Sequence, residues 1–270
     1  MQILSKRAVK EVSYGPTEPI KNSKKMMKRI LEVCAGSVQS AIAARDGGAA
    51  RVELCAALEI GGVTPSAGLM REVRKVEGLK MHVLIRPRGG DFLYDESEAE
   101  TMVQDIITAR ECGADGVVIG ALTADGDIDT ALCRRLVEAA HGMSVTFHRA
   151  FDMCRNPKQA LEDIIALGCN RILTSGQAAT ALAGTTLLRE LVEAAGERLR
   201  IMPGCGVNAQ NAATILDACG AQEIHASARK SIGSAMRFRH SGVSMGNPDS
   251  DEFARKETDE QEVRKIVESI

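Results

Sequence analysis

The 270-residue sequence predicts a single (β/α)8 barrel of the TIM type. A short sequence pattern recurs four times, beginning at Gly48, Gly113, Gly168 and Gly220. In each copy a glycine ends an amphipathic stretch, and an apolar strand follows it. The spacing of these copies leaves room for two βα units in each interval, which amounts to eight units in all. The strands are apolar almost throughout, as expected for parallel strands that are buried on both faces.

The eight strands are predicted at residues 30–34, 51–55, 81–85, 116–122, 144–148, 171–175, 199–203 and 223–227. Helices are predicted at residues 37–45, 66–76, 129–140, 157–167, 186–195 and 208–218, with Pro157 in the first turn of one and Asn208 as the N-cap of another. One further helix is expected to begin at Ser97, which forms a capping box with Glu100.

The two ends of the chain differ from this regular pattern. Residues 1–28 are basic and lack sustained periodicity, which indicates a flexible extension that precedes the barrel domain. The domain is expected to span residues 29–270 and to finish in a C-terminal tail.

Composition excludes several classes of function. The formal net charge of −2 provides no general attraction to nucleic acid, and no apolar run approaches the ~18 residues that span a membrane. An aromatic content of 3% argues against a stacking platform for sugars or bases. The eight cysteines form no close CxxC pair and no secretion signal precedes them, so we expect reduced thiols in a cytoplasmic protein.

Charged side chains interrupt the apolar strands near their carboxyl ends, where barrel enzymes bind their substrates. The candidates for acid–base chemistry are Glu32, Glu53, His148, Asp152 and His225. A buried charge without a partner costs several kcal/mol, so these groups need each other or a ligand. Two interpretations stay open: a self-paired plug of the barrel, and a polar ligand site.

The last three strands favour an anion site, because barrels often bind phosphate at the loops after strands seven and eight. Candidate anion-binding residues across the barrel mouth are Arg86, Arg88, Arg149, Ser175, Gly176, Gly204, Gly206, Ser227 and Arg229. Glycine lets backbone amides approach an anion, although the same glycines also suit tight βα turns, and both interpretations remain.

Cys34 and Cys55 end two strands of near-identical sequence, residues 31–34 and 52–55. Adjacent parallel strands lie about 4.8 Å apart, so two matching thiols could share one soft Cu(I) ion. Buried cysteine is also commonly a small apolar side chain, and the stagger of a barrel can separate two such positions.

Eight segments together carry a resemblance to a known family: residues 31–34, 52–55, 61–66, 85–92, 146–152, 173–176, 202–204 and 224–229. They resemble the CutC family, described as copper homeostasis proteins, in unbroken order over about residues 30–247. The resemblance implies a TIM-like barrel, a cytosolic setting and a homo-oligomer, either a dimer or a tetramer. It also implies that Cys34 and Cys55 occupy positions proposed to bind Cu(I), whereas Cys205 departs from the family's usual small residue.

Copper handling is therefore the leading expectation, with Cu(I) as the bound ion. The alternative is an enzyme that acts on a small phosphorylated or carboxylated metabolite, with His148 or a glutamate as acid–base and the arginines orienting the anion. A purely structural oligomeric scaffold is the third hypothesis. Neither nucleic acid nor membrane is expected as a partner.

Overall fold

The computed structural model describes residues 29–240, 242–243 and 251–270. The predicted flexible extension, residues 1–28, lies outside the described residues. None of the described helices combines the length and the apolarity that crossing a bilayer requires.

Eight parallel strands alternate with helices, as the sequence predicts. Strands β1 to β8 are Ile30–Ala35, Arg51–Leu54, Lys80–Leu84, Gly116–Ile119, Ser144–Phe147, Arg171–Thr174, Arg200–Pro203 and Glu223–Ala226. Helices α1 to α8 are Val38–Asp46, Ala67–Arg74, Glu96–Glu111, Thr130–Ala140, Pro157–Ala166, Thr185–Ala195, Ala212–Cys219 and Glu260–Ser269. Two 3₁₀ helices, Leu58–Ile60 and Arg149–Met153, follow β2 and β5, and strands β9 and β10 are Arg229–Gly233 and Ala254–Thr258.

The eight strands form one sheet in the hydrogen-bonded order β7-β6-β5-β4-β3-β2-β1-β8. β7 and β8 are the two ends of this order, and they contact each other across the remaining gap. The sheet is therefore a nearly closed barrel, and the predicted TIM-like fold is confirmed. The carboxyl ends of all eight strands lie at one mouth, because every described pairing within this sheet is parallel.

Two predicted helix starts are wrong. The helix α3 begins earlier than expected, because Asp95 is its N-cap and Glu98 completes the capping box in place of Ser97 and Glu100. The helix α7 begins at Ala212 with Asn211 as N-cap, although its start was predicted at residue 208. In both places a competing cap residue lies two or three positions away, so local sequence does not choose between them.

The described residues after β8 form regular structure beyond the tail that the sequence predicted. The antiparallel strands β9 and β10 form a hairpin, and α8 then packs beside α1 as the eighth helix of the outer ring. Glu257 accepts hydrogen bonds from the hydroxyls of Ser37 and Ser40, which fastens the hairpin to the start of α1. A Cβ atom on Gly47 would lie 2.6 Å from Val263, so α8 approaches α1 closely at a residue without a side chain.

Apolar and polar side chains occupy opposite faces of the sheet. The main apolar core lies between strands and helices, where alternate strand residues such as Val33, Val52 and Phe147 are fully buried. The intervening residues point into the barrel, and many of them are charged, such as Glu32 and Arg51. The strand sequences are therefore apolar in overall composition, although the side chains that face the barrel interior are largely polar.

Candidate functional site

A layer of buried charges fills the barrel interior toward the amino ends of the strands. The Arg51 guanidinium donates to Glu32 and, at 2.6 Å, to Oε2 of Glu223. Arg171 Nε donates to the same Glu223 oxygen at 3.1 Å, and Arg171 Nη1 donates to Thr146 Oγ1 at 3.1 Å. We call Glu32, Arg51, Arg171 and Glu223 the ion cluster. Because its members neutralise each other, the ion cluster needs no ligand, and of its four residues only Glu32 was among the strand-end groups considered for a self-paired plug.

His225 joins the ion cluster to the mouth of the barrel. Its Nδ1 lies 2.8 Å from Glu32 Oε1, and its Nε2 lies 3.7 Å from Glu53 Oε2. Burial alone would lower the pKa of His225, but its contacts with Cys34 and the two glutamates raise that pKa well above its ordinary value. Burial would raise the pKa of Glu32, yet Arg51 and His225 hold it well below its ordinary value. At neutral pH His225 is therefore an imidazolium held between two carboxyl groups.

A cavity of about 310 Å³ opens above the ion cluster at the carboxyl ends of the strands. Its polar lining includes nine of the predicted site residues: Cys34, Glu53, Arg86, His148, Arg149, Gly206, His225, Ser227 and Arg229. Leu84, Phe92 and Leu173 supply part of its apolar wall. A cavity with an apolar wall and a few convergent polar groups is typical of a small-molecule site.

Arg86 is a buried cation on one wall of this cavity, only 6% exposed. Its Nη1 donates to the carbonyl oxygens of Gly62 at 2.9 Å and Ile60 at 3.2 Å, and its Nη2 donates to Gly90 at 2.8 Å. Among the described residues nothing accepts a hydrogen bond from its Nε, which is buried. Arg86 can therefore offer one donor to a ligand and cannot grip an anion with both terminal nitrogens.

His148 lies beside Arg86, and Phe92 contacts both side chains. The Phe92 ring centre is 5.0 Å from that of His148 and 5.1 Å from Cζ of Arg86. Burial, together with the charge of Arg86, lowers the pKa of His148 to about 3, so the imidazole is neutral at pH 7. Its Nδ1 accepts from the Ala150 amide at 3.1 Å, which assigns the proton to Nε2. A Cβ on Gly120 would lie 2.4 Å from His148 Cε1, so this position of the ring requires glycine.

The backbone amides of the loop after β6 bind the carboxylate of Asp152 from the same chain. Asp152 accepts from the backbone amides of Ser175, at 3.0 Å, and Gln177, at 3.2 Å. The amides of Gly176 and Gly204 donate to the hydroxyl and the carbonyl of Thr174, at 2.9 and 3.0 Å. These predicted anion-binding amides are therefore already occupied.

Cys34 and Cys55, the predicted metal pair, lie on adjacent strands but at different positions along the strand direction. The β1–β2 register places Cys34 opposite Glu53, so Cys55 lies further along its strand. Cys34 lines the cavity, whereas Cys55 is 1% exposed and packs with Leu84 and Val118. Burial, and secondarily the charge of Glu53, raises the pKa of the Cys55 thiol well above its ordinary value. In the described ranges no three His, Cys, Asp or Glu side chains have the geometry of a metal site.

Comparison with known proteins decides the family. The sequence model of the CutC family matches residues 29–230. The chain belongs to the CutC family. A CutC family protein of Chromobacterium violaceum is 53% identical over 244 residues, which cover 90% of this chain and 99% of the relative. A copper homeostasis protein cutC homolog of Mus musculus is 48% identical over 238 residues, 88% of each chain. The crystal structure of the Streptococcus agalactiae protein CutC is 35% identical, with a TM-score of 0.70, and covers 73% of this chain and 97% of that chain.

Seven predicted site residues lie outside the lining of the cavity. Two of them are Gly176 and Gly204, whose amides already donate to Thr174, and the other five are as follows. Arg88 forms ion pairs with Glu98 and Asp91. Glu32 lies beneath the cavity in the ion cluster. Asp152, Ser175 and Cys55 are held in the interactions given above.

Sequence reasoning missed five residues in or beside the candidate site, namely Arg51, His82, Arg171, Glu223 and Phe92. Four of them precede the strand ends, where we searched for polar side chains. His82 is buried beside the ion cluster, its Nδ1 4.0 Å from Glu32 Oε2, and burial lowers its pKa to about 3. The signal that could have found them is alternation, because a charge two residues before a polar strand end points into the same interior.

Proposed function

We propose that the chain serves copper homeostasis and takes up Cu(I) as cargo through the thiols of Cys34 and Cys55. Its family membership supports this role, since the mouse relative is named as a copper homeostasis protein. The observation that carries the proposal is that two free cysteines lie on adjacent parallel strands, two residues out of register, and that one of them lines the cavity. Thiolates are the ligands that soft Cu(I) prefers.

The different exposure of the two thiols gives them different roles. Cys34 meets the incoming ion at the cavity surface, and Cys55, which lies further along its strand and is buried, completes a two-thiolate site. Cys55 must lose its proton to bind, and burial among apolar side chains opposes a bare thiolate there. Binding of Cu(I) therefore releases that proton.

An anaerobic titration of reduced protein against a chromogenic Cu(I) chelator tests this proposal. We expect about one Cu(I) per chain, and loss of that site in both Cys34→Ser and Cys55→Ser. Cys205→Ser is the matched control, because Cys205 also lines the cavity but lies on another strand end. Equal binding by the Cys34→Ser/Cys55→Ser double variant would refute the assignment.

The second candidate is an enzyme that acts on a small anionic metabolite. The polar lining of the cavity favours it, since Arg86, Arg229 and the Asp152-paired Arg149 line it together with Glu53. Cu(I) binding by two thiols needs none of these side chains. A cationic mouth attracts carboxylates and phosphates. Substitutions separate the two roles: loss of Cu(I) binding should follow Cys34→Ser, and loss of metabolite binding should follow His148→Asn.

We further propose that the protein works in the cytoplasm as a homo-oligomer, a dimer or a tetramer. All eight cysteines are free, which suits a reducing compartment. Cell fractionation tests the location, and light scattering coupled to size-exclusion chromatography tests the assembly. A monomeric mass at micromolar concentration would refute the oligomer.

A further inference from the structure

The backbone amides that follow β7 and β8 lack acceptors where these loops line the cavity. No atom of the described residues accepts a hydrogen bond from the amides of Cys205, Gly206, Val207 or Ser227, and all four residues line the cavity. Val207 is buried, and Cys205 and Ser227 are half-buried. Backbone amides in such positions almost always have an acceptor, so four unpaired amides beside one cavity indicate a partner from outside the chain.

The neighbouring loop shows what kind of partner fits such amides. After β6 the carboxylate of Asp152 accepts from the amides of Ser175 and Gln177, at 3.0 and 3.2 Å. After β7 the amides with acceptors are those of Asn208 and Ala209, further along the loop than the cavity lining. The loop after β6 thus binds an anion of the chain itself, and the loops after β7 and β8 have the same kind of donor without one in the described structure.

Two arginines of the cavity lining carry charges that no described carboxylate neutralises. Arg229 directly follows the β8 loop and is exposed at the mouth. Arg86 is 6% exposed, and its described hydrogen bonds go to backbone carbonyls only. The other buried arginines, Arg51 and Arg171, both pair with Glu223. A buried charge without a counter-charge is costly, so the cavity favours an anionic occupant.

Arg86 and His148 lie on other sides of the mouth from these loops. Arg86 follows β3, which is four strands away from β7 in the sheet order and therefore opposite it in a barrel of eight strands. His148 follows β5, three strands from β8 across the gap. His148 is 5% exposed, and its Nε2 has no acceptor in the described ranges. An occupant anchored at the β7 and β8 loops would have to extend across the mouth to reach this donor.

The two sets of donors suit different chemical groups. Several amides beside a guanidinium match the terminal oxygens of a phosphate, and barrels often bind phosphate at the loops after strands seven and eight. The single N–H of His148 instead matches one hydroxyl or carbonyl oxygen. The cavity volume of about 310 Å³ lies at the lower end of the range of ~300–1,000 Å³ for ligand pockets, so the occupant is small.

We propose that the cavity binds a small phosphate monoester, with its phosphate on the unpaired amides of the β7 and β8 loops beside Arg229 and a hydroxyl or carbonyl oxygen directed toward His148. This inference rests on the second function proposed above and names its ligand class and its anion subsite. It is an inference about binding, and it uses neither the thiols assigned to Cu(I) nor the carboxylates next to them.

Calorimetric titration of the full chain tests the ligand class with four probes: glycerol 3-phosphate, inorganic phosphate, glycerol and malonate. Both phosphate probes should bind, and glycerol 3-phosphate should bind about tenfold more tightly, the gain expected from one further hydrogen bond. Glycerol lacks the anion and should not bind at the same concentrations. Malonate supplies carboxylates without phosphate, so it separates this ligand class from small anions in general.

Substitutions in the anion subsite test where the phosphate lies. Ser227→Asp places a carboxylate beside the unpaired amides, as Asp152 does after β6, and Arg229→Gln removes the positive charge. Each variant should bind both phosphate probes about tenfold or more weakly, the factor expected for loss of a hydrogen bond to a charged group. The matched controls Ser66→Asp, at a helix N-cap outside the cavity lining, and Arg189→Gln, on the exposed face of α6, should keep the wild-type affinity.

A substitution of His148 tests the other end of the ligand. His148→Asn keeps an acceptor for the Ala150 amide but lacks Nε2. It should weaken the binding of glycerol 3-phosphate to the level of inorganic phosphate and leave the affinity for inorganic phosphate unchanged. An equal loss for both probes would refute the separation into two sets of donors.

Three further results would overturn the inference, and they differ in what else they overturn. Binding of malonate without binding of either phosphate probe refutes the ligand class and leaves the metabolite function standing. Absence of binding by all probes refutes the metabolite function as well. Wild-type affinity for phosphate in both Ser227→Asp and Arg229→Gln shows an adventitious ion only. Circular dichroism verifies folding, and if Ser227→Asp does not fold, the exposed Arg229→Gln still decides the outcome.

Discussion

Replacement of Arg51 by Met should destabilise the protein severely, because Arg51 joins two carboxylates inside the barrel. Arg51 is 4% exposed and donates to both Glu32 and Glu223. Without it Glu32 keeps His225 at 2.8 Å, and Glu223 keeps Arg171. Removal of one partner from a buried ion pair costs about 3–5 kcal/mol. At about 2–4 °C per kcal/mol for a chain of this size, the melting temperature should fall by roughly 6–20 °C.

Urea denaturation monitored by circular dichroism measures this loss, with Arg198→Met as the matched control. Arg198 forms a two-pronged ion pair with Glu162 at 2.7 and 2.8 Å, but both side chains are about half exposed. The control should therefore lose no more than about 1 kcal/mol. The comparison separates the effect of burial from the effect of deleting any paired arginine.

The destabilisation should also depend on pH. The lowered pKa of Glu32 means that its ion pair stabilises the fold above the ordinary glutamate value of 4.5 and that this contribution is lost as the pH falls through the lowered pKa. Without Arg51 that pKa rises, because the largest of the interactions that lower it is lost and mainly the contact with His225 remains. The gap in unfolding free energy between wild type and variant should therefore be widest near pH 7 and shrink in acid. An Arg51→Met protein within about 1 kcal/mol of the wild type at pH 7 would refute the reasoning.

Three other outcomes are expected. Gly120→Ala should cost about 1–3 kcal/mol of unfolding free energy in thermal or urea denaturation, because its Cβ would lie 2.4 Å from His148 Cε1. The affinity for Cu(I) should rise between pH 6 and 8 by about tenfold per pH unit for each thiol that releases its proton on binding, and a flat profile in the chelator titration would exclude Cys55 as a ligand. Deletion of residues 1–28 should leave the melting temperature within about 2 °C, as differential scanning calorimetry would report.

Local sequence was sufficient for the order and type of the eight barrel strands and of seven helices. The copies of the sequence pattern that begin at Gly48, Gly113, Gly168 and Gly220 each stand between a helix and a strand of the structure. Helix caps and apolar strands depend on neighbouring residues, so a single sequence carries them. Helix starts were less secure, since Asp95 and Ser97 each precede a glutamate by three residues and both can open a capping box.

The eighth helix and the hairpin before it escaped the sequence analysis. The helix α8 is short and amphipathic, and it owes its place to contacts with distant residues such as Gly47. The hairpin is likewise joined to α1 through Glu257 and two serines more than 200 residues away in the chain. Contacts at such separation cannot be predicted from local sequence, although the N-cap Asp259 and the amphipathic spacing of α8 are a local signal for the helix itself.

The same distinction applies to the candidate site. The sequence by itself determined that Glu53, Arg86, His148 and His225 meet at one mouth, because the ends of parallel strands in a barrel converge. Only the tertiary structure decided that Cys34 lies opposite Glu53 and not Cys55, since barrel closure sets the stagger between strands. The free donors of Arg86 and His148 likewise depend on which loop carbonyls and amides occupy their other nitrogens, and that depends on how the loops pack across the mouth.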